Sequence, residues 1–275
     1  SSISSASANG SYGIGSTITI NATFSSSINV SGSPTLELET GSTDRTVSYV
    51  SGSGTNSLSF TYTVQEGDTS GDLDYTGTSA LALNGGTIKA STGAANNANL
   101  TLAAPGAANS LSANNALNID GIRPTIAITE DDADDSLKAG DTTTVTFTLS
   151  EASSSFIQSD VSVSGGALSN WNAASATSYS ATFTPSTNST ADGVISVANA
   201  AFTDAASNAN NDGSDANNSV SLSVNTIRPT IAITEDDADD SLKAGDTTTV
   251  TFTLSEASSN FIQSDVSVSG GSLSN

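Results

Sequence analysis

Apolar and polar residues alternate along most of this chain with a period of two, the mark of strands that bury one face and present the other to water. In the run Thr142 to Leu149, Val145, Phe147 and Leu149 fall on one side and Thr144, Thr146 and Thr148 on the other. Ile126 with Ile128 precedes it. Val161 with Val163, Leu168 with Trp171, Tyr179 to Phe183, Ile195 with Val197, and Val220 to Val224 follow. Gly, Asn, Asp and Ser turns separate these runs. The first part of the chain uses the same pattern: Ile18 to Phe24, Leu36 with Leu38, Val47 with Tyr49, and Leu58, Phe60 and Tyr62. A hairpin turn is expected at Gly52–Gly54. Helical spacing is sustained nowhere, and β-branched Thr and Val stand where a helix prefers Ala, Leu or Glu. A short helical turn is expected only around Ala198–Ala201.

A repeat organises these strands. Residues 122–170 recur as 227–275, changed only where Ser155 becomes Asn260 and Ala167 becomes Ser272. The offset of 105 residues is too long for a helical solenoid and fits one whole β-sandwich of about 100 residues. Seven short strands in that length read as an Ig-like sandwich. The expected fold class is therefore all-β: tandem Ig-like β-sandwich modules forming an elongated rod. Residues 1–121 would form a module of a different subtype, 122–226 one full repeat, and 227–275 a truncated copy; either the natural chain continues or this end is poorly folded, and an internal segment of a longer protein is the expectation.

Charge narrows the partners. The chain carries 28 acids against 6 bases, a net charge of −22. Such a surface repels phosphates and anionic lipid, so nucleic acid is not an expected partner. No apolar run is long enough to enter a membrane. The chain has no Cys or His, which removes disulfides, thiolate chemistry and the commonest general base. A carboxylate pair could in principle hydrolyse glycosides, but the acids sit in polar turns without an aromatic platform. No enzyme is expected. Hard divalent cations seek carboxylate oxygen, which makes Ca²⁺ the first ligand to consider.

Oxygen-rich candidate clusters fall in four places. The loop Glu130-Asp131-Asp132-Ala133-Asp134-Asp135 packs five carboxylates into six residues and recurs at Glu235–Asp240. It is either a solvated loop or a cation site through Glu130, Asp132 and Asp134; its spacing is not that of an EF-hand. The stretch from Asp192 to Gly213 contains Asp204-x-x-x-Asn208 and Asp212, whose oxygens either converge on an ion or cap turns. At the first linker Asp120 could hold an ion between modules, whereas Asn225 takes its place at the second. Asp68, Asp72 and Asp74 form a further oxygen-rich loop.

The strings RPTIAIT, LKAGDTTTVTFTLSEA, SDVSVSGG, YSATFTP and ISVANAAFTDAASNAN resemble the bacterial Ig-like repeat of giant adhesins and biofilm-associated proteins. The first module, with YGIGSTITINATFS and RTVSYVSGSGTNSLSFTYTVQEGD, resembles another sandwich repeat of the same surface proteins. The resemblance implies type I secretion, an extracellular place on the bacterial surface, a stalk role, and Ca²⁺ that rigidifies modules or junctions. It implies Asp160, Asp204 and Asn208 as ligands. One departure is Ser207, where the family often has Gly before Asn. The expected partners are neighbouring repeats, with host or biofilm matrix engaged through distal domains. The alternative is a module that binds carbohydrate or protein directly.

Overall fold

The structure is a computed structural model that describes residues 1–92, 96–213, 215–238 and 240–274. Strands dominate it. The first part contains β1 (Ser2–Ser5), β2 (Gly10–Tyr12), β3 (Thr17–Thr23), β4 (Ile28–Ser31), β5 (Thr35–Glu39), β6 (Arg45–Ser51) and β7 (Ser57–Thr63). Then come β8 (Thr69–Ser70), β9 (Asp74–Tyr75), β10 (Leu81–Ala82), β11 (Thr87–Ala90), the single-turn helix α1 (Leu111–Asn114) and β12 (Leu117–Asp120). One sheet has the order β1-β3-β7-β6-β5-β10, a second β2-β12-β8, and β4 pairs β11. The alternating runs decide which faces meet: Ile18, Ile20, Leu36, Leu38, Leu58, Phe60 and Tyr62 all point into one core that extends from Ile3 to Ile119.

A buried charge sits in this first core. Asp68 is fully enclosed and accepts hydrogen bonds from Arg45 Nε at 2.8 Å, Tyr62 Oη at 2.7 Å and Gln65 N at 3.0 Å. An enclosed carboxylate is tolerated only when it is paired and hydrogen-bonded in this way. Burial and the neighbouring carboxylate push the Tyr62 phenol far above its ordinary range, so it stays a donor. Asp74 accepts from Gly106 N, Leu111 N and Ser112 Oγ, fastening the turn before α1 to the sheet. Asp72 accepts from Leu117 N at 3.1 Å. The oxygens of the Asp68–Asp74 loop are thus occupied by the module's own backbone and side chains. Burial, and after it Asp74, raises the Tyr75 phenol to about 12.

The second part contains β13 (Ile126–Glu130), β14 (Ser136–Lys138), β15 (Thr143–Leu149), β16 (Val161–Ser164), β17 (Gly166–Ala173), β18 (Ser178–Pro185), β19 (Gly193–Val197) and β20 (Ser219–Asn225). Its sheets are β13-β15-β18-β17 and β14-β20-β19-β16. The eight strands include β14, which the alternation did not announce because Leu137 is its lone apolar residue. β14 lies parallel to β20, as β2 lies parallel to β12. In both modules the chain leaves one sheet after its first strand and joins the other. The acidic loop is that crossing in the second module. At β17 a bulge with Asn170 at φ 53° brings Leu168 and Trp171, three residues apart, onto the same core. Trp171 lies at the edge of that core and stays partly exposed. Residues 198–201 form a turn without helical continuation, with Ala200 at φ 56°.

The aromatic residues form one connected cluster. Phe156 packs edge-on against Phe147, Trp171 and Tyr179, with ring centroids 5.0–5.8 Å apart, and Phe202 lies 5.2 Å away. Tyr179 Oη donates to Ser153 O at 2.8 Å, so its polar tip is satisfied. In the third part, though nearly identical in sequence to residues 122–170, the described residues contain two strands, β21 (Ile231–Glu235) and β22 (Val250–Leu254), paired with each other.

Tyr62→Phe keeps the ring and deletes the donor to Asp68. Loss of a hydrogen bond to a buried charge should lower the stability of the first module by about 2 kcal/mol, measured by urea unfolding. Unchanged stability would show that Arg45 and the backbone suffice for Asp68.

Candidate metal centre

The linker between the first two sandwiches is held on both sides. Gly121 N donates to Asp68 O at 2.7 Å, and Gly67 N donates to Gly121 O at 2.8 Å. A Cβ at Gly121 would lie 2.3 Å from Gln65 O, so only glycine fits against the first module there. Arg123 donates to Ala209 O at 3.0 Å and stands 3.5 Å from the Glu66 carboxylate. Asp212, enclosed, accepts from Ile126 N and from Asn210 Nδ2, which fixes the start of β13.

The loop from Asp204 to Asn208 meets the first module directly. Asn208 Oδ1 accepts from Ile14 N at 2.7 Å, and its Nδ2 donates to Asp120 O and to Asp204 Oδ2, both at 2.8 Å. Asp204 Oδ1 accepts from Asn208 N at 2.8 Å. A Cβ at Gly13 would lie 2.3 Å from Ala206 O, so the two modules approach to backbone contact. This contact places Asp120, at the end of β12, beside Asp204 and beside Glu151, which follows β15.

Asp120, Glu151 and Asp204 each place a carboxylate oxygen within 4.8 Å of the other two. Among the described residues it is the one set of three acids so arranged. Burial first, then the charges of Asp120 and Asp204, raise the Glu151 carboxyl above its ordinary value. The charge of Asp120 is not needed for its local turn. Asp120 Oδ1 accepts from Ile122 N at 3.2 Å, and at the next linker Asn225 Oδ1 accepts from Ile227 N at the same distance. An uncharged oxygen therefore performs the turn equally well.

The donor set fits a hard divalent cation: three oxygen ligands, net negative, from three separate stretches of chain, partly withdrawn from water. Asn208 donates from Nδ2 to Asp204 Oδ2 and to the backbone Asp120 O, which positions those residues and leaves the three carboxylates as the candidate ligands.

Of the nine residues singled out from sequence, Asp120, Asp204 and Asn208 meet here. The others lie elsewhere. Glu130 Oε2 accepts from Thr143 Oγ1 at 3.0 Å, and Asp132 Oδ2 from Ser136 N at 2.8 Å. Their neighbour Asp131 accepts from Thr143 Oγ1 and Thr144 N. Asp134 is exposed. Glu130, Asp131 and Asp132 thus accept hydrogen bonds from the loop and from β15, and in the second copy Asp239 lies outside the described residues. Asp160 accepts from Ile157 N and closes a 3₁₀ turn rather than joining the cluster. Asp192 is exposed, and Asp212 serves Ile126. Glu151 is the member of this acid cluster that spacing did not reveal. Its signal is topological: β15 runs antiparallel to β13, so the end of β15 must return to the edge where the linker enters.

Ser207 holds φ 70° in this loop. A side chain there carries strain that a glycine would avoid.

A class follows from fold and site: serial β-sandwiches whose joint gathers acids from both sides. The sequence model of the bacterial Ig-like domain family matches residues 120–223 and 225–275, more than half of the chain, and the protein belongs to that family. No curated protein matches the chain. Among solved structures it is similar to FdeC, an adhesin of Escherichia coli, at 17% identity over 93% of this chain and 73% of that one, with a TM-score of 0.33. No described helix is long and apolar enough to cross a membrane.

Two outcomes test this description. Ser207→Gly should raise the stability of the second module by about 1 kcal/mol by removing a left-handed side-chain conformation, seen as a higher urea midpoint; a lower midpoint would show that the Ser207 side chain contributes more than its strain. Hydrogen bonds from Thr144 N and Thr143 Oγ1 hold the Asp131 carboxyl below its ordinary 3.8. Because the folded value is the lower one, this stabilisation is present above pH 3.8 and is lost as pH falls through the folded value. Asp131→Asn should flatten the acid limb of stability against pH, and an unchanged limb would refute the assignment.

Proposed function

We propose that this chain is part of the extracellular stalk of a bacterial surface adhesin, and that Ca²⁺ bound by Asp120, Glu151 and Asp204 stiffens the joint between its first two modules. The modules would hold a distal binding region away from the cell. The observation that carries this reading is the convergence of three carboxylates at a short linker, one from the first module and two from the second. Three like charges this close repel one another unless neutralised. A cation that requires all three together favours one arrangement of the modules over splayed ones, and stabilises it by ordinary ligand linkage. The near-identity of residues 122–170 and 227–275 suits a spacer, in which length matters more than diversity of surface.

Thermal unfolding and small-angle scattering, with excess Ca²⁺ and then with a chelator, test the joint. Ca²⁺ at about 100 times its dissociation constant should stabilise by about 2.7 kcal/mol, seen as a melting point several degrees higher, and should narrow the distribution of inter-module distances. Glu151→Gln should behave in two opposite ways: more stable than the parent in chelator, because repulsion is relieved, and no longer responsive to Ca²⁺. A parent chain indifferent to millimolar Ca²⁺ in both measurements would sink the calcium mechanism.

A further inference from the structure

Asn-Gly occurs twice in the chain, at Asn9-Gly10 and Asn84-Gly85, and the fold places the two in opposite situations. In this dipeptide the glycine nitrogen stands one ring closure away from the asparagine Cγ, and no Cβ shields it. At Asn9-Gly10 both reacting groups are engaged. Gly10 N donates to Ala116 O and Asn9 Oδ1 accepts from Ala116 N, each at 3.0 Å, which fixes the pair beside β12. At Asn84-Gly85 they are open. The two residues form the centre of the turn Leu83–Gly86, which Gly86 N closes by donating to Leu83 O at 2.8 Å. Their φ values of 47° and 77° are those of a type I′ turn. Both residues are exposed. Gly85 N donates to no group among the described residues, and a Cβ built on Gly85 would meet nothing within 4 Å. The Asn84 carboxamide is tied by Nδ2, which donates to Ser33 O at 3.2 Å; its carbonyl carbon stays open to attack.

We infer that Asn84 is a site of spontaneous modification, deamidating through a cyclic imide while Asn9 is protected by the fold. Gly85 N gives its proton to solvent base and attacks Asn84 Cγ. The new C–N bond closes a succinimide ring, and the bond from Cγ to Nδ2 breaks to release ammonia. Water then opens the ring at either carbonyl, leaving aspartate, or isoaspartate in which the backbone runs through the former side chain. The step consumes water alone. Attack requires Asn84 to rotate out of its turn conformation, and an exposed turn closed by one backbone hydrogen bond opens at low cost. Either product carries a negative charge that Asn84 lacks and cannot donate to Ser33 O. The turn is seated on the end of β4, where a Cβ on Gly32 would lie 2.7 Å from Gly86 Cα. The change therefore loosens the pairing of β4 with β11.

The test is to age the folded chain at mildly alkaline pH, cleave it into peptides and follow both sites by mass spectrometry, with isoaspartate detected by methyltransferase labelling. The mass gain of an amide-to-acid conversion should appear at Asn84 well before Asn9, with isoaspartate among the products. In urea the two sites should convert alike, because the protection of Asn9 is structural. Asn84→Gln should stay intact, since its longer side chain closes a less favourable ring. Asn84→Asp installs one product directly and should speed amide exchange in β11 by about five-fold, the worth of one lost hydrogen bond. An intact Asn84, equal conversion of Asn9 and Asn84 in the folded chain, or aspartate without isoaspartate would each overturn the inference. Unchanged exchange in β11 would overturn its consequence for β4 and β11.

Discussion

Each sheet of the complete repeat takes strands from both of its halves, and the rest of the module depends on that interleaving. β15 finds its outer partner in β18, β14 in β20 and β16 in β19. Backbone N–H and C=O groups must be paired wherever they leave water, so neither half satisfies itself alone. The apolar side chains obey the same division. Phe147 and Phe156 come from one half, and Tyr179 and Phe202 from the other, with Trp171 beginning the second half on the strand that bridges them. Apolar burial and hydrogen-bond pairing are thus completed in the same step, which gives one cooperative unit rather than two marginal ones.

This rigidity is what gives meaning to the junction. Carboxylates on flexible turns would move apart when charged. Here Asp120 is fixed by the end of β12, Glu151 follows the end of β15, and Asp204 is tied twice to Asn208. Asn208 also reaches the first module through Ile14 N and Asp120 O. The hydrogen bonds hold the acids close, while their charges oppose that closeness. In the proposed calcium reading, a bound cation would remove the opposing force by neutralising the acids. At the second linker Asn225 keeps the turn-forming oxygen and loses the charge, so the two linkers share this turn and differ in its charge.

Much of the fold could be read from alternation. Val145, Phe147 and Leu149, or Leu58, Phe60 and Tyr62, are buried on the face that their period of two assigns. Leu137 and its strand β14 escaped that reading, because one apolar residue beside an acidic loop has no period. Its place comes from parallel pairing with β20, more than eighty residues away in the chain. The site was legible in part. Asp120 stood out at a linker, and Asp204 with Asn208 stood out by spacing. Asp160, Asp192 and Asp212 share their chemistry but not their location, and an acidic residue type does not reveal which end of a sandwich it occupies. Glu151, a lone acid after a strand, had no local signature.

Residues 122–170 and 227–274 separate what sequence determines from what tertiary structure decides, since nearly the same residues stand in two settings. Local interactions are the same in both. The bond from Ser136 N to Asp132 reappears from Ser241 N to Asp237, and that from Thr144 N to Asp131 from Thr249 N to Asp236. The 3₁₀ turn at Gln158–Asp160 reappears at Gln263–Asp265, and the hairpin of β13 with β15 is kept in shortened form as β21 with β22. Among the described residues, the stretches equivalent to β14 and β16 (241–243 and 266–269) form no strand in the third part. Turns, caps and the inward face of each strand follow from neighbouring residues alone. Whether a stretch such as Val161–Ser164 becomes a strand depends on a distant partner, because an edge without its mate gains neither ladder hydrogen bonds nor apolar burial to offset the entropy of ordering it.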